Sequence, residues 1–265
     1  MLTRRIIPAL LVVALNSVTN AQTVNTRAQN KVVDALVITV RQLSGAIGSF
    51  ATQVGQRLMN LDLNNLAIPG VSPATSITRD GRTLTLSLNY GKTKAKGFSG
   101  VASVSHELLT KQGTVTFKDF SIDDNALSGT VSLEFFPSDE PANALLTRLN
   151  LSSKGVKVSG LLKALIGADG SITLNSYVKS PLTVTAGDST FPAIVNDLRL
   201  APIQRRSFVP EGGWIQAKDA KLSPDDSPLG AGIKVTFLKG TPDDQKVLLS
   251  VANGAPFKYT IPGGL

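Results

Sequence analysis

The sequence predicts an α+β fold, mainly β, in which an N-terminal amphipathic helix packs on a large, curved antiparallel sheet. Three observations carry that expectation. One stretch alone has a sustained helical period, with apolar residues spaced alternately by three and four. From about residue 74 to the end, strand-length arms of alternating polarity recur with turn residues between them. Two of those arms change apolar parity partway along, as a strand does at a β-bulge.

In chain order, residues 1–21 read as a secretory signal peptide. Arg4 and Arg5 precede an apolar run from Ile6 to Leu15, and the small residues Thr19 and Ala21 place cleavage after Ala21. The run is far shorter than the roughly 20 residues that cross a bilayer as a helix. Pro8 and Asn16 also interrupt or end it. The expected destination is therefore export, periplasmic or extracellular. Residues 22–265 are read as a single β-rich domain, long enough to bury a sizeable core.

Bulk composition narrows the chemistry. Cysteine is absent, so there are no disulfides, no thiolate metal sites and no lipid-modified cysteine. The net charge is +8, and two of those charges leave with Arg4 and Arg5. A basic balance suits anionic surfaces such as lipid head groups or acidic glycans, and equally suits solubility alone.

Residues 28–60 carry the helix pattern. Val33, Leu36, Val40, Leu43, Ile47, Phe50 and Val54 form one apolar stripe, with Arg41 and Arg57 off it. Asn25 or Thr26 suits the N-cap, Gly45 and Gly48 weaken the middle, and Val37 to Val40 brings a β-branched cluster that leans toward strand. With no other long helix to pair with, the stripe is expected on a sheet face, coiled-coil self-association being the lesser option. Pro69, Gly70 and Pro73 then separate this region from the sheet.

Strands are expected over about 74–265. The turn Arg79-Asp80-Gly81 leads into Leu84, Leu86, Leu88 and Tyr90, which share one face. Further strands are expected at 98–109, on both arms of 113–136, and at 155–161, 171–178, 181–186, 213–222, 231–238, 246–252 and 257–261. Leu145, Leu146 and Leu149 suggest a short helix over 142–149. The stretch from Pro202 to Gly213, with Arg205 and Arg206, is the best loop candidate.

Residues 113–136 and 213–237 look like two copies of one hairpin. Lys118-Asp119 matches Lys218-Asp219, and a two-residue gap in the turn brings Leu127 onto Leu229 and Phe135 onto Phe237. In both, apolar parity changes at the Lys-Asp pair, from Val115 and Phe117 to Phe120 and Ile122, and from Ile215 and Ala217 to Ala220 and Leu222. A bulge is expected at each.

Catalytic constellations are mostly missing. His106 is the one histidine and no G-x-S-x-G elbow exists, so neither a serine triad nor a histidine zinc site is expected. Gly91-Lys92-Thr93 lacks the first glycine of a phosphate loop, and Ser176-x-x-Lys179 lacks its companion motifs. Aspartates cluster in turns, at 123–124, 225–226 and 243–244, without a calcium-loop register. Lys92, Lys94 and Lys96 project from one face if extended, and form a candidate anion-binding strip or, more simply, a guarded sheet edge. No aromatics interleave with them, so nucleic acid is not an expected partner.

The functional expectation is an exported, non-enzymatic protein that binds an amphiphile or cell-envelope component through the apolar face of a curved sheet. The partner would be a lipid or an anionic envelope polymer, with peripheral membrane contact at most and no cofactor. In outline this is similar to periplasmic carriers built on curved antiparallel sheets, though no motif ties the chain to a family. An outer-membrane barrel fits less well, because the helix is unexplained and aromatics are too few for two girdles. The alternatives are a structural or adhesive surface module and, last, a hydrolase using carboxylates alone, such as a glycosidase.

Overall fold

A computed structural model describes residues 29–51, 74–89, 91, 98–107, 112–122, 125–135, 144–177, 180–203, 207–219, 232–239, 246–251 and 255–261. The signal-peptide reading, the cap at Asn25 or Thr26, Val54 and Arg57 therefore lie outside the described residues, as do Arg205, Arg206 and the aspartate turns at 123–124, 225–226 and 243–244.

The architecture is mainly antiparallel sheet with one N-terminal helix packed against it, the α+β class that the periodicity predicts. Helix α1 covers residues 29–43 and continues as a π-helical stretch, Ser44–Ala51. The change of helix type falls where Gly45 and Gly48 remove the side chains that favour regular α-turns.

Among the described residues the sheet has fourteen strands. The first seven are β1 (Ala74–Asp80), β2 (Thr83–Asn89), β3 (Phe98–Glu107), β4 (Gln112–Ile122), β5 (Asn125–Phe135), β6 (Ala144–Ser153) and β7 (Val156–Ile166). The remainder are β8 (Ile172–Ser176), β9 (Leu182–Ala186), β10 (Ser189–Ile203), β11 (Ser207–Ala217), β12 (Ile233–Phe237), β13 (Lys246–Val251) and β14 (Phe257–Thr260). The order follows the chain, except that the short strands β8 and β9 both fit between β7 and β10. β9 takes the first part of each neighbour and β8 the second.

Three expectations are corrected. Residues 144–153 form strand β6, not a helix: Thr147, Leu149, Leu151 and Ser153 alternate inward while Arg148 and Asn150 point out. Pairing with β5 and β7 overrides the weak leucine face. The stretch 202–213 is not one loop, because β10 runs to Ile203 and β11 starts at Ser207. β1 and β10 fall within the expected strand region but not on any of the individually expected strands. β10, the longest, hides behind Pro192, Pro202 and an Asn-Asp pair, residues that normally punctuate strands.

A bulge explains the parity change in the first hairpin, while Ala220 and Leu222 of the second lie outside the described residues. Between Phe117 and Phe120 the β4–β5 register slips, and Asp119 takes a left-handed φ of 49°. Both rings therefore face inward, 5.3 Å apart. Asp219 has φ 48°, just beyond the end of β11, and Lys218 N–H donates to Pro192 O at 3.0 Å. Asp197 repeats the device in β10, with φ 48° and a slip between Asn196 and Arg199. Glycines sit opposite: a Cβ on Gly100 would lie 1.9 Å from Asp119 O, and one on Gly213 2.1 Å from Asp197 O.

The two hairpins differ more than their sequences suggest. Phe117 pairs with Gly129, whereas Ala217 pairs with Ile233, so the second needs a four-residue insertion rather than two. Gly113 and Gly213 also play different parts. Gly213, at φ 78°, makes room for a bulge, while Gly113 has only Ser105 O, 3.9 Å away, near its missing Cβ.

The helix sits in a trough. Its π-helical stretch lies against β5, β10 and β11, of which β5 and β11 are five sheet positions apart. In a flat sheet five steps of ~4.8 Å would separate them by about 24 Å, too far for a helix about 10 Å across to touch both. The sheet therefore curls around the helix. Val32, Val33, Ala35, Leu36, Val37, Thr39, Val40, Gln42, Leu43, Ala46 and Ile47 are all buried, far more than an a/d seam. A narrow stripe of Gln29, Asn30, Lys31, Asp34, Ile38, Arg41 and Gly45 stays wholly or partly outside. Burial lowers the pKa of the Arg41 guanidinium, and Asp34 opposes that shift.

Candidate functional site

Which face each residue occupies follows from the registers, since paired residues on neighbouring strands share a side. One row crosses the sheet from β1 as Ile77, Leu86, Val104, Val115, Val131 and Leu149. A second enters from the opposite edge as Phe257, Leu249, Val235, Ile215 and Val195. Every member except the first of each row is 4% exposed or less, in one continuous core with the helix. The first members stand apart. Ile77 is 49% exposed and Phe257 52%, and they are the two exposed large hydrophobic residues among those described.

Both belong to the concave face, and each sits on an edge strand with one sheet neighbour among the described residues. Among the described residues the apolar lining thus runs from lip to lip, covered on the floor and open at both rims. Each rim has its own chemistry. On β1, Arg79 shares the concave side with Ile77 and pairs with Leu84, while Asp80 turns to the other side. On β14, Tyr259 shares the concave side with Phe257, and Lys258, paired with Leu248, faces out.

No protein-family model, curated protein or solved structure matches this chain.

The floor holds polar groups among its apolar ones. Thr39 Oγ1 donates to Ala35 O at 2.9 Å, a local helix bond. Gln42 Nε2 donates to Val156 O at 2.9 Å, which ties the helix to β7. Gln42 Oε1 and Thr147 Oγ1 are buried without a hydrogen-bond partner among the described residues. Thr147 lies between Leu133 and Leu162, so its hydroxyl meets an apolar surround. Each such orphan costs about 1–3 kcal/mol.

The close fit of helix to floor depends on Gly48. A Cβ there would stand 2.7 Å from Phe208 Cγ on β11, nearer than real Cβ contacts come. The helix is seated, not merely adjacent.

Outside the trough the polar features are structural. Asp169, in the β7–β8 turn, accepts from Ser171 N–H at 3.0 Å and Ser171 Oγ–H at 2.6 Å, and pairs with Arg199. The Ser171 hydrogen bonds and Arg199 hold its carboxyl below the usual aspartate range. Trp214 is on the convex face under Lys234, whose Nζ is 4.4 Å from the ring centroid.

Of the residues singled out from sequence, Lys92, Lys94 and Lys96 lie outside the described residues, between β2 and β3. His106 pairs with Leu84 and Gly113 within β3, an ordinary ladder position. Ser176 Oγ accepts from Val195 N–H at 2.9 Å, a scaffold bond, and Lys179 is outside the described residues. The described aspartates are all exposed, and among the described residues no three His, Cys, Asp or Glu gather closely enough for a metal. Ile77, Arg79 and Phe257 were not anticipated as site residues. The alternation of β1 would have placed Ile77 and Arg79 on one face, but not that the face was concave or its edge free.

Proposed function

We propose that this protein is an exported, non-enzymatic binder of an amphiphile or cell-envelope component, engaged through the apolar concave face of its curled sheet. The observation that carries this reading is that the apolar face does not end where the helix does. It continues onto both edge strands and presents Ile77 and Phe257 beside polar groups, the mixed surface an amphiphile needs. The helix fills the floor, so a ligand would engage the lips.

Native mass spectrometry after gentle purification tests the proposal directly, with co-purified lipid as the expected result. Replacing both Ile77 and Phe257 with Ser should remove it while leaving the fold intact. A wild-type chain that carries no amphiphile, and takes up none when offered, would overturn the reading.

The packed floor favours a second reading, a structural or adhesive module whose helix simply completes a core. Under it, the Ile77→Ser, Phe257→Ser double variant would change adhesion to envelope preparations without any small ligand being lost.

A further inference from the structure

The two lips are not equivalent, and the difference points to a ligand class. On β1, the concave side carries a cation, Arg79, two residues from exposed Ile77. On β14, the concave side carries the aromatic pair Phe257 and Tyr259, and the cation faces away. An exposed arginine is usually just solvated, but Arg79 is held. Its Nε–H donates to Gly81 O at 3.1 Å, which ties the guanidinium to its own turn. Neither Nη atom has a partner among the described residues. A guanidinium anchored at Nε presents a terminal amine to an oxyanion at little further entropic cost. Beside it on the same face lie Ile77 and Leu86, with half-buried Leu84 directly opposite.

We infer that Arg79 and Ile77 form a head-and-tail receptor on the β1 lip for an amphiphile whose head group is a carboxylate or phosphate. The head meets the Arg79 guanidinium, and the first part of the tail lies along exposed Ile77 and half-buried Leu84. The inference rests on the amphiphile-binding reading and narrows it to anionic heads. A free anion would gain only the guanidinium contact, which is weak at an exposed site. The amphiphile gains Ile77 and Leu84 as well.

The experiment titrates the full chain with dodecyl phosphate, dodecyl maltoside and inorganic phosphate, each amphiphile below its micelle concentration. Arg79→Ala should weaken dodecyl phosphate roughly tenfold, the size of one charge-assisted hydrogen bond, and leave dodecyl maltoside unchanged. Arg79→Lys should recover part of the loss, since it restores charge but not the fork. Arg82→Ala, in the same turn, should bind like wild type. Ile77→Ser should weaken both amphiphiles. Arg79 is exposed, so its variants should fold, which circular dichroism checks.

Equal loss of both amphiphiles in Arg79→Ala, or no loss of either, overturns the head-group assignment while leaving amphiphile binding standing. Inorganic phosphate binding as tightly as dodecyl phosphate also overturns it, by showing a plain anion site. If wild type binds neither amphiphile, the broader reading falls and this one with it.

Discussion

The floor of the trough and its lips are built from the same alternating strands, yet they are opposite in character. On the floor, Val131, Val195, Ile215 and Val235 are almost fully buried under a helix that is itself wrapped by sheet. At the lips, Ile77 and Phe257 occupy the same rows and the same face with about half their surface in water. The lesson is that apolar alternation sets which face a residue takes, while coverage sets what the residue does there. Covered positions contribute stability, and uncovered ones are available to a ligand.

Truncating a side chain in each region separates floor from lip most strongly. Leu36→Ala, fully buried in α1, should cost about 3 kcal/mol in urea unfolding, whereas Ile77→Ala should stay within about 0.5 kcal/mol. Similar losses at both sites would mean that the lip is covered in solution. Next in size is Gly48→Ala, which should destabilise by about 2 kcal/mol because its Cβ would crowd Phe208. A neutral result would show that the helix does not press on β11.

Thr147→Val should go the other way. The hydroxyl is buried in apolar surroundings with no partner among the described residues, so its removal should stabilise the fold by about 1 kcal/mol. A loss of stability would reveal a hydrogen-bond partner and a wetter floor.

Asp169→Asn should give the smallest effect, because the carboxylate is exposed. Its pKa is lowered in the folded state by Ser171 and Arg199, so its contribution is present above the ordinary aspartate pKa and fades as pH falls through the lowered value. The variant should therefore melt slightly below wild type at neutral pH and converge with it in acid. A gap that widens on acidification would contradict that assignment.

Much of the scaffold was legible in the chain. The stripe Val33, Leu36, Val40, Leu43 and Ile47 announced a helix to be buried, and the structure buries all five. The parity change at Lys118-Asp119 announced a bulge, because a strand's period of two leaves only a bulge or a break to move Phe117 and Phe120 onto one side. The same parity logic marks β10, where Phe191, Ala193 and Val195 give way to Leu198 and Leu200. Proline and Asn-Asp punctuation outweighed it there. Strand β6 was obscured because three leucines fit two periods over a short span, and only pairing with β5 and β7 chooses between them.

The candidate site was far less visible. Local periodicity is enough to place one amphipathic helix, many alternating strands and the bulge at Lys118-Asp119. The curl of the sheet around the helix, the edge positions of β1 and β14 among the described strands, and the placement of Ile77, Arg79 and Phe257 on the concave side arise only in the folded chain. Those facts depend on contacts between residues far apart in the chain, and no local pattern encodes which strand will be left without a neighbour.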